Sequence, residues 1–216
     1  MEERTSGIVL RVRPLTETSL IVHWLTERFG RIATVVKGAR RPKSIFRGKL
    51  DLFYLDDISF SRSRRSELHT LREAVMREPH NALRQGLGRL QRAAYGAALI
   101  EQTTETETPL PGMFVLFKDY LGQLSEQPPG ITVVAAFEMK LLSELGLAPD
   151  LGESTLSDGA VQILKRFTEL DWPALLRVRP SAAQSREIQQ FLHGFLIYHL
   201  GRIPEGRSAA LRGEVE

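Results

Sequence analysis

Between Arg28 and Lys49 the chain carries eight cations and no carboxylate: Arg28, Arg31, Lys37, Arg40, Arg41, Lys43, Arg47 and Lys49. Cations with no anion among them cannot neutralise one another locally, so they are left to water or to an external polyanion. On a polyanion, each neutralised phosphate releases condensed counterions, which makes binding favourable and sensitive to salt. Gly38 and Gly48 in the same stretch allow backbone N–H groups to approach phosphates too. The chemistry suited to these residues is therefore phosphate binding. Arg11 and Arg13 alternate with Val12, share one strand face and extend the basic surface. Phe46, inside the basic loop, is the aromatic placed for exposure and for stacking on an unpaired base. Trp24, Phe29, Phe53, Tyr54 and Phe60 read mostly as core. A second cluster, Arg62, Arg64 and Arg65, reads as a hairpin tip, suited equally to phosphate and to water.

Residues for covalent or metal chemistry are sparse. The chain has no cysteine, which excludes disulfides and thiolate metal sites. Its five histidines (His23, His69, His80, His193, His199) are scattered without metal-ligand spacing. There is no Walker-type glycine loop, no G-x-S-x-G elbow and no H-E-x-x-H. Asp56-Asp57, an adjacent acidic pair of the N-terminal region, reads as a strand bulge or turn. No catalytic residue, metal or cofactor is expected, and the chain reads as a non-enzyme.

The elements that must hold the cations follow from hydrophobic period. With 216 residues, 42% hydrophobic and 25% charged, the chain has an ordinary globular composition. Met1-Glu2-Glu3-Arg4 lacks a signal-peptide core, and no run approaches the roughly 20 apolar residues of a membrane span. A cytoplasmic protein without a membrane partner is the expectation. Residues 1–80 hold 16 Lys/Arg against 10 Asp/Glu, and residues 81–216 hold 13 against 16. That asymmetry separates a basic module from a mildly acidic one.

Ile8–Arg13, Leu20–Leu25, Arg31–Lys37, Leu50–Phe60 and Glu67–Arg72 have strand-like patterning, with Pro14 ending the first and Gly30 turning between the second and third. Five short strands in about 75 residues suggest a small Greek-key barrel of the oligonucleotide-binding type. A small open sandwich or an SH3-like barrel would give a similar string. Beyond Glu78-Pro79 the period becomes helical: Asn81–Gln102, Met113–Leu124, Val133–Leu145, a helix following Leu156-Ser157-Asp158, and Gln184–Leu200. Thr103–Thr108 reads as a polar linker and Pro128-Pro129-Gly130 as a helix breaker. The expected class is α+β, a small β-barrel (OB-fold) over residues 1–79 followed by an all-α domain over 80–216, with 201–216 a flexible tail.

The strings Gly7–Arg11 (GIVLR), Glu17–Val22 (ETSLIV), Thr26–Ile32 (TERFGRI), Val36–Arg41 (VKGARR), Lys43–Leu50 (KSIFRGKL) and Glu144–Leu151 (ELGLAPDL) resemble, in order and spacing, the RecO family of bacterial recombination mediators. The likeness covers most of the chain; the G-A-R-R loop with its flanks is fairly specific, the separate pieces are not. The resemblance implies an N-terminal OB-fold, a C-terminal helical domain, binding of single- and double-stranded DNA, and strand annealing in DNA repair. It implies RecR as a partner in loading RecA onto DNA coated by single-strand-binding protein (SSB). The DNA-binding role then falls on Lys37, Arg40, Arg41, Lys43, Arg47 and Lys49. The helical domain is expected to dock the phenylalanine-ended acidic tail of SSB, with Phe137, Lys140 and Leu141 as candidate contacts. Many members carry a four-cysteine zinc insertion, which Leu151-Gly152-Glu153-Ser154-Thr155 lacks, so zinc is not expected. Two other classes fit the basic barrel, a protein-interaction scaffold meeting an acidic tail and an RNA-binding regulator.

Overall fold

A computed structural model describes residues 2–126, 131–152, 154–175 and 177–212. Five strands, β1 (Glu2–Pro14), β2 (Leu20–Thr26), β3 (Gly30–Val36), β4 (Leu55–Ser61) and β5 (Leu68–Glu78), form a closed barrel in the order β1-β2-β3-β5-β4. All neighbours are antiparallel except β3 and β5, which pair in parallel over three positions, Ala33↔Leu68, Thr34↔His69 and Val35↔Thr70. This is the OB-fold expected from the strand pattern. β1 begins earlier than its alternation indicates, because its polar first half, Glu2–Ile8, is recruited to pair with β4.

The barrel core gathers Val9, Val22, Trp24, Ile32, Ile58, Phe60 and Leu71. A bulge between Val9 and Arg11 shifts the phase of β1. Val9 and Val12 therefore both serve the core, while Arg11 and Arg13 stand on the outer face. Trp24 is fully buried, and its indole N–H donates to Thr34 Oγ1 at 2.9 Å, so the ring enters the core with no polar atom orphaned. Gly7 admits it: a Cβ there would lie 3.2 Å from the Trp24 ring.

The chain divides into two compact units, residues 1–80 with 104–118, and residues 81–103 with 119–216. Thr103–Thr108 is thus more than a linker, since from Thr104 the chain returns to the barrel. Thr106 bridges to Arg31, the Glu107 N–H donates to the Arg31 carbonyl at 2.8 Å, and the Arg31 guanidinium donates to the Thr104 hydroxyl at 2.8 Å. Gly30 is required twice over. Its φ is +64°, and a Cβ would lie 2.0 Å from the Thr108 carbonyl oxygen.

A 3₁₀ turn at Asn81–Gln85 precedes α1 (Leu87–Thr103), followed by α2 (Pro111–Glu126), α3 (Ile131–Glu144), α4 (Asp158–Glu169), α5 (Trp172–Leu175), α6 (Ala182–Leu200) and α7 (Arg207–Ala210). Ser157 caps α4 as its position predicts, and Ser181 with Gln184 forms a full capping box on α6. The Pro128-Pro129-Gly130 breaker lies outside the described residues. No helix among those described is long and apolar enough to cross a membrane.

The expected flexible tail needs correction over residues 201–212. Arg207, on α7, is buried against Glu138 of α3 in a two-pronged ion pair, Nε to Oε1 at 2.7 Å and Nη2 to Oε2 at 2.9 Å. The Tyr95 hydroxyl of α1 donates to the same Oε1 at 2.6 Å. Burial together with this carboxylate drives the Tyr95 phenol far above its ordinary range. Removing one partner of a buried pair strands the other charge. Arg207→Ala is expected to destabilise the protein by about 3–5 kcal/mol in chemical denaturation, a far larger loss than a solvated tail residue would give.

Candidate nucleic-acid interface

After β3, residues 37–54 cross one mouth of the barrel before β4 begins. Gly38 (φ +69°) starts the crossing and Gly48 (φ +73°) ends its central part. Between them the chain advances by successive i to i−3 turns: Arg41 N–H to Gly38, Ser44 to Arg41, Arg47 to Ser44 and Lys49 to Phe46, all carbonyl acceptors within 3.0–3.2 Å. The Arg40 N–H donates to the Thr18 carbonyl at 3.0 Å and ties the crossing to the β1–β2 loop. In this winding one side chain turns inward and its neighbours turn out. Phe46 is 8% exposed and joins the barrel core, with Ala39 and Leu50 packed beside it.

That burial corrects the expectation that Phe46 is a free stacking platform. Its aromatic surface is worth more as the plug of an otherwise open barrel end than in water. Around the plug stand the cations. Lys37, Arg40, Arg41, Lys43 and Arg47 are exposed, and none forms an ion pair among the described residues. Arg40 Nη1 reaches the Thr16 carbonyl and Arg47 Nη1 the Pro42 carbonyl, each at a long 3.4 Å, which leaves most guanidinium N–H groups outward. Arg40, Arg41 and Arg47 line an open cleft of about 430 Å³ with Phe46 and Leu50 below. Arg13 is exposed and Arg11 half-buried, on the outer face of β1 where it pairs with Ile21 and His23 of β2.

Two residues of the sequence set lie elsewhere. Register places Leu20 opposite Val36 at the plugged end and Thr26 opposite Gly30 at the other, so Arg28 and Arg31 sit a full strand length from the crossing loop. Arg28 lies 5.4 Å from the Phe29 ring centroid and donates to the Arg4 carbonyl at 3.2 Å. Arg31 is committed to Thr104. One continuous cationic run in sequence thus becomes two groups in space. The second cluster also divides: Arg62 pairs with Glu107, while Arg64 and Arg65 stay exposed. The hydrogen bond from Arg62 holds the Glu107 carboxyl below its usual range, and burial holds His69, which meets Glu107 at 2.9 Å, below its own.

Asp56-Asp57 reads in sequence as a strand bulge or turn, and the β4–β5 register does shift between Leu55 and Asp56. Asp56 itself is fully buried near the start of β4, and neither carboxyl oxygen has a hydrogen-bond partner. Burial raises its pKa to about 7, opposed by the charge of Lys49 and reinforced by Asp57. Lys49, counted among the phosphate-binding cations, is half-buried, and its charge acts on this carboxyl without a hydrogen bond to it.

The contacts assigned to a partner tail do not form a surface. Phe137 and Leu141 are fully buried, Phe137 stacking on Tyr120 with centroids 4.2 Å apart. Lys140 Nζ donates to the Leu170 carbonyl at 2.7 Å beyond the end of α4, and burial lowers its pKa. α3 is apolar on most of its circumference, the pattern of a central helix. Sequence reasoning overlooked instead the outer side of α6. There Phe191 and Phe195 stack at 5.8 Å, Tyr198 is 84% exposed, and a groove of about 600 Å³ runs past them to Leu156. The i, i+4 spacing of Phe191 and Phe195 was the available signal.

Comparison with known proteins shows what the chain is similar to. The family model described as recombination protein O N terminal matches residues 1–80, and that described as recombination protein O C terminal matches residues 84–155. The chain is 28% identical over 233 residues to the DNA repair protein RecO of Anaeromyxobacter dehalogenans (strain 2CP-C), covering 92% of each chain. It is 32% identical over 151 residues to RecO of Bacillus subtilis (strain 168), covering 70% of this chain and 58% of the relative. With RecO of Azoarcus sp. (strain BH72) it shares 34% over 161 residues, 74% of this chain and 64% of that one.

The Asp56 environment sets a pH dependence. A carboxyl with an ordinary value near 3.8 that rises to about 7 on folding binds its proton more tightly in the folded state. Its contribution is therefore complete below pH 4, declines as pH rises through that window and is gone above it. Asp56→Asn, which cannot ionise, should match the parent's melting temperature near pH 4 and exceed it by several degrees at pH 8. A melting difference that is flat from pH 4 to 8 would contradict this account.

Proposed function

The chain belongs to the RecO family of DNA repair and recombination proteins, and on that premise we propose that its barrel is a non-catalytic holder of DNA strands. Cations on the loop plugged by Phe46, with Arg11 and Arg13 on β1, neutralise the backbones of single or double strands. Two strands held this way repel each other less, which favours annealing of complements. In keeping with the family, the protein acts with RecR in loading RecA onto DNA coated by SSB, and the helical unit receives SSB. The exposed aromatic groove on α6 suits an apolar-ended tail better than the buried α3 does.

One observation carries this reading: Lys37, Arg40, Arg41, Lys43 and Arg47 stand exposed together, and none forms an ion pair among the described residues. A scaffold for an acidic protein tail and an RNA-binding regulator draw on the same charge, but no further residue favours either.

The triple variant Arg40→Ala, Arg41→Ala, Lys43→Ala tests it. DNA affinity should fall for every sequence alike, and the slope of log affinity against log salt should become shallower by about two, near 0.7 for each single-strand phosphate no longer neutralised. Annealing of SSB-coated complementary oligonucleotides, with and without RecR, should fall in parallel. An unchanged salt slope would remove this loop from the interface.

A further inference from the structure

Proteins that hold single strands ordinarily combine two attractions, cations along the backbone and exposed aromatic rings on which bases stack. This barrel has the first. Its six aromatic side chains are otherwise engaged. Trp24, Phe46, Phe53 and Phe60 are between 0% and 8% exposed. Phe29 packs edge-on against Phe60 at 5.5 Å beside the Arg28 guanidinium, and Tyr54 packs against the same core. In the arginine-lined cleft, Phe46 offers a base almost no ring surface.

We propose that the barrel grips nucleic acid through its phosphodiester backbone alone and leaves the bases uncovered. The inference rests on the reading of the barrel as a DNA site and specifies what that site takes: a flexible phosphate polyanion, with neither base face nor base edge read. Three consequences share that cause. The cations on the plug loop meet single and double strands in the same way, because both present the same backbone. Base sequence does not alter affinity, because nothing on the site touches a base. A captured strand keeps its Watson–Crick edges free, so it pairs with a complement while still bound.

The test measures binding of the full chain, by fluorescence anisotropy across a salt series, to two oligomers of equal length. One is oligo(dT); the other is an abasic strand with the same phosphodiester chain and tetrahydrofuran in place of each nucleoside. The expected result is affinities within about twofold and equal salt slopes, since no stacking attraction is removed. A loss of tenfold or more on the abasic strand overturns the inference, because each stacked base contributes roughly that much or more. Binding to neither strand overturns the DNA-site reading and the inference with it. As a second measurement, Phe46→Leu keeps the plug apolar while removing its ring. Equal dT affinity in that variant supports backbone-only binding; a selective fall on dT, with the abasic strand unaffected, contradicts it.

Discussion

A single apolar contact organises the charged surface of this protein. Residues 37–54 have no strand or long helix of their own, and hold their shape through short turns, bonds from Arg40 to the β1–β2 loop, and a backbone pairing of Phe53 and Tyr54 with Val9 of β1. What anchors them is Phe46, driven into the barrel mouth by the same burial of apolar area that fills the rest of the core. Once that ring is seated, Arg40, Arg41, Lys43 and Arg47 point outward, and their mutual repulsion is tolerated because they are solvated. The hydrophobic effect thus positions an electrostatic site. The basic loop is preorganised without Lys37, Arg40, Arg41, Lys43 or Arg47 entering an ion pair among the described residues.

The opposite end of the barrel shows the contrary arrangement, with charge used internally. Arg31 closes on Thr104, Arg62 on Glu107, and Glu107 also on His69, so a segment returning from the first helix is held by polar contacts along β3. In the helical unit, Glu138, Arg207 and Tyr95 fasten three helices by the same means. Seen by role, the arginines include two groups that composition does not distinguish: those such as Arg31, Arg62 and Arg207 that are bonded inside the chain and shape it, and Arg40, Arg41 and Arg47, which stand exposed with no ion pair among the described residues.

How much of this was legible in sequence follows from the range of each cause. Strands with alternating burial, such as β3, and a helix start with a capping serine, Ser157, declare themselves locally. The polar first half of β1 does not, since its pairing with β4 is decided some fifty residues away. Phe46 read as exposed because a loop without periodicity gives no inward direction. Arg207 read as tail because its partner, Glu138, lies 69 residues off. Phe137 and Leu141 were misassigned for a different reason, since the run Val133–Phe137 is apolar around the whole helix and already marks a buried one. The basic loop was found because charge accumulation is a property of the chain itself. Its separation from Arg28 and Arg31 required the register.

The short parallel pairing of β3 with β5 bears on how the barrel is isolated as a fragment. Only Ala33, Thr34 and Val35 meet β5, and the segment from Thr104 lies against the start of β3. A piece ending at residue 80 would retain all five strands yet leave the Gly30–Ile32 backbone as an open sheet margin. Such margins recruit strands from other molecules. Soluble expression of the barrel alone therefore calls for grafting residues 104–118 back onto it, rather than for a cut at the apparent boundary.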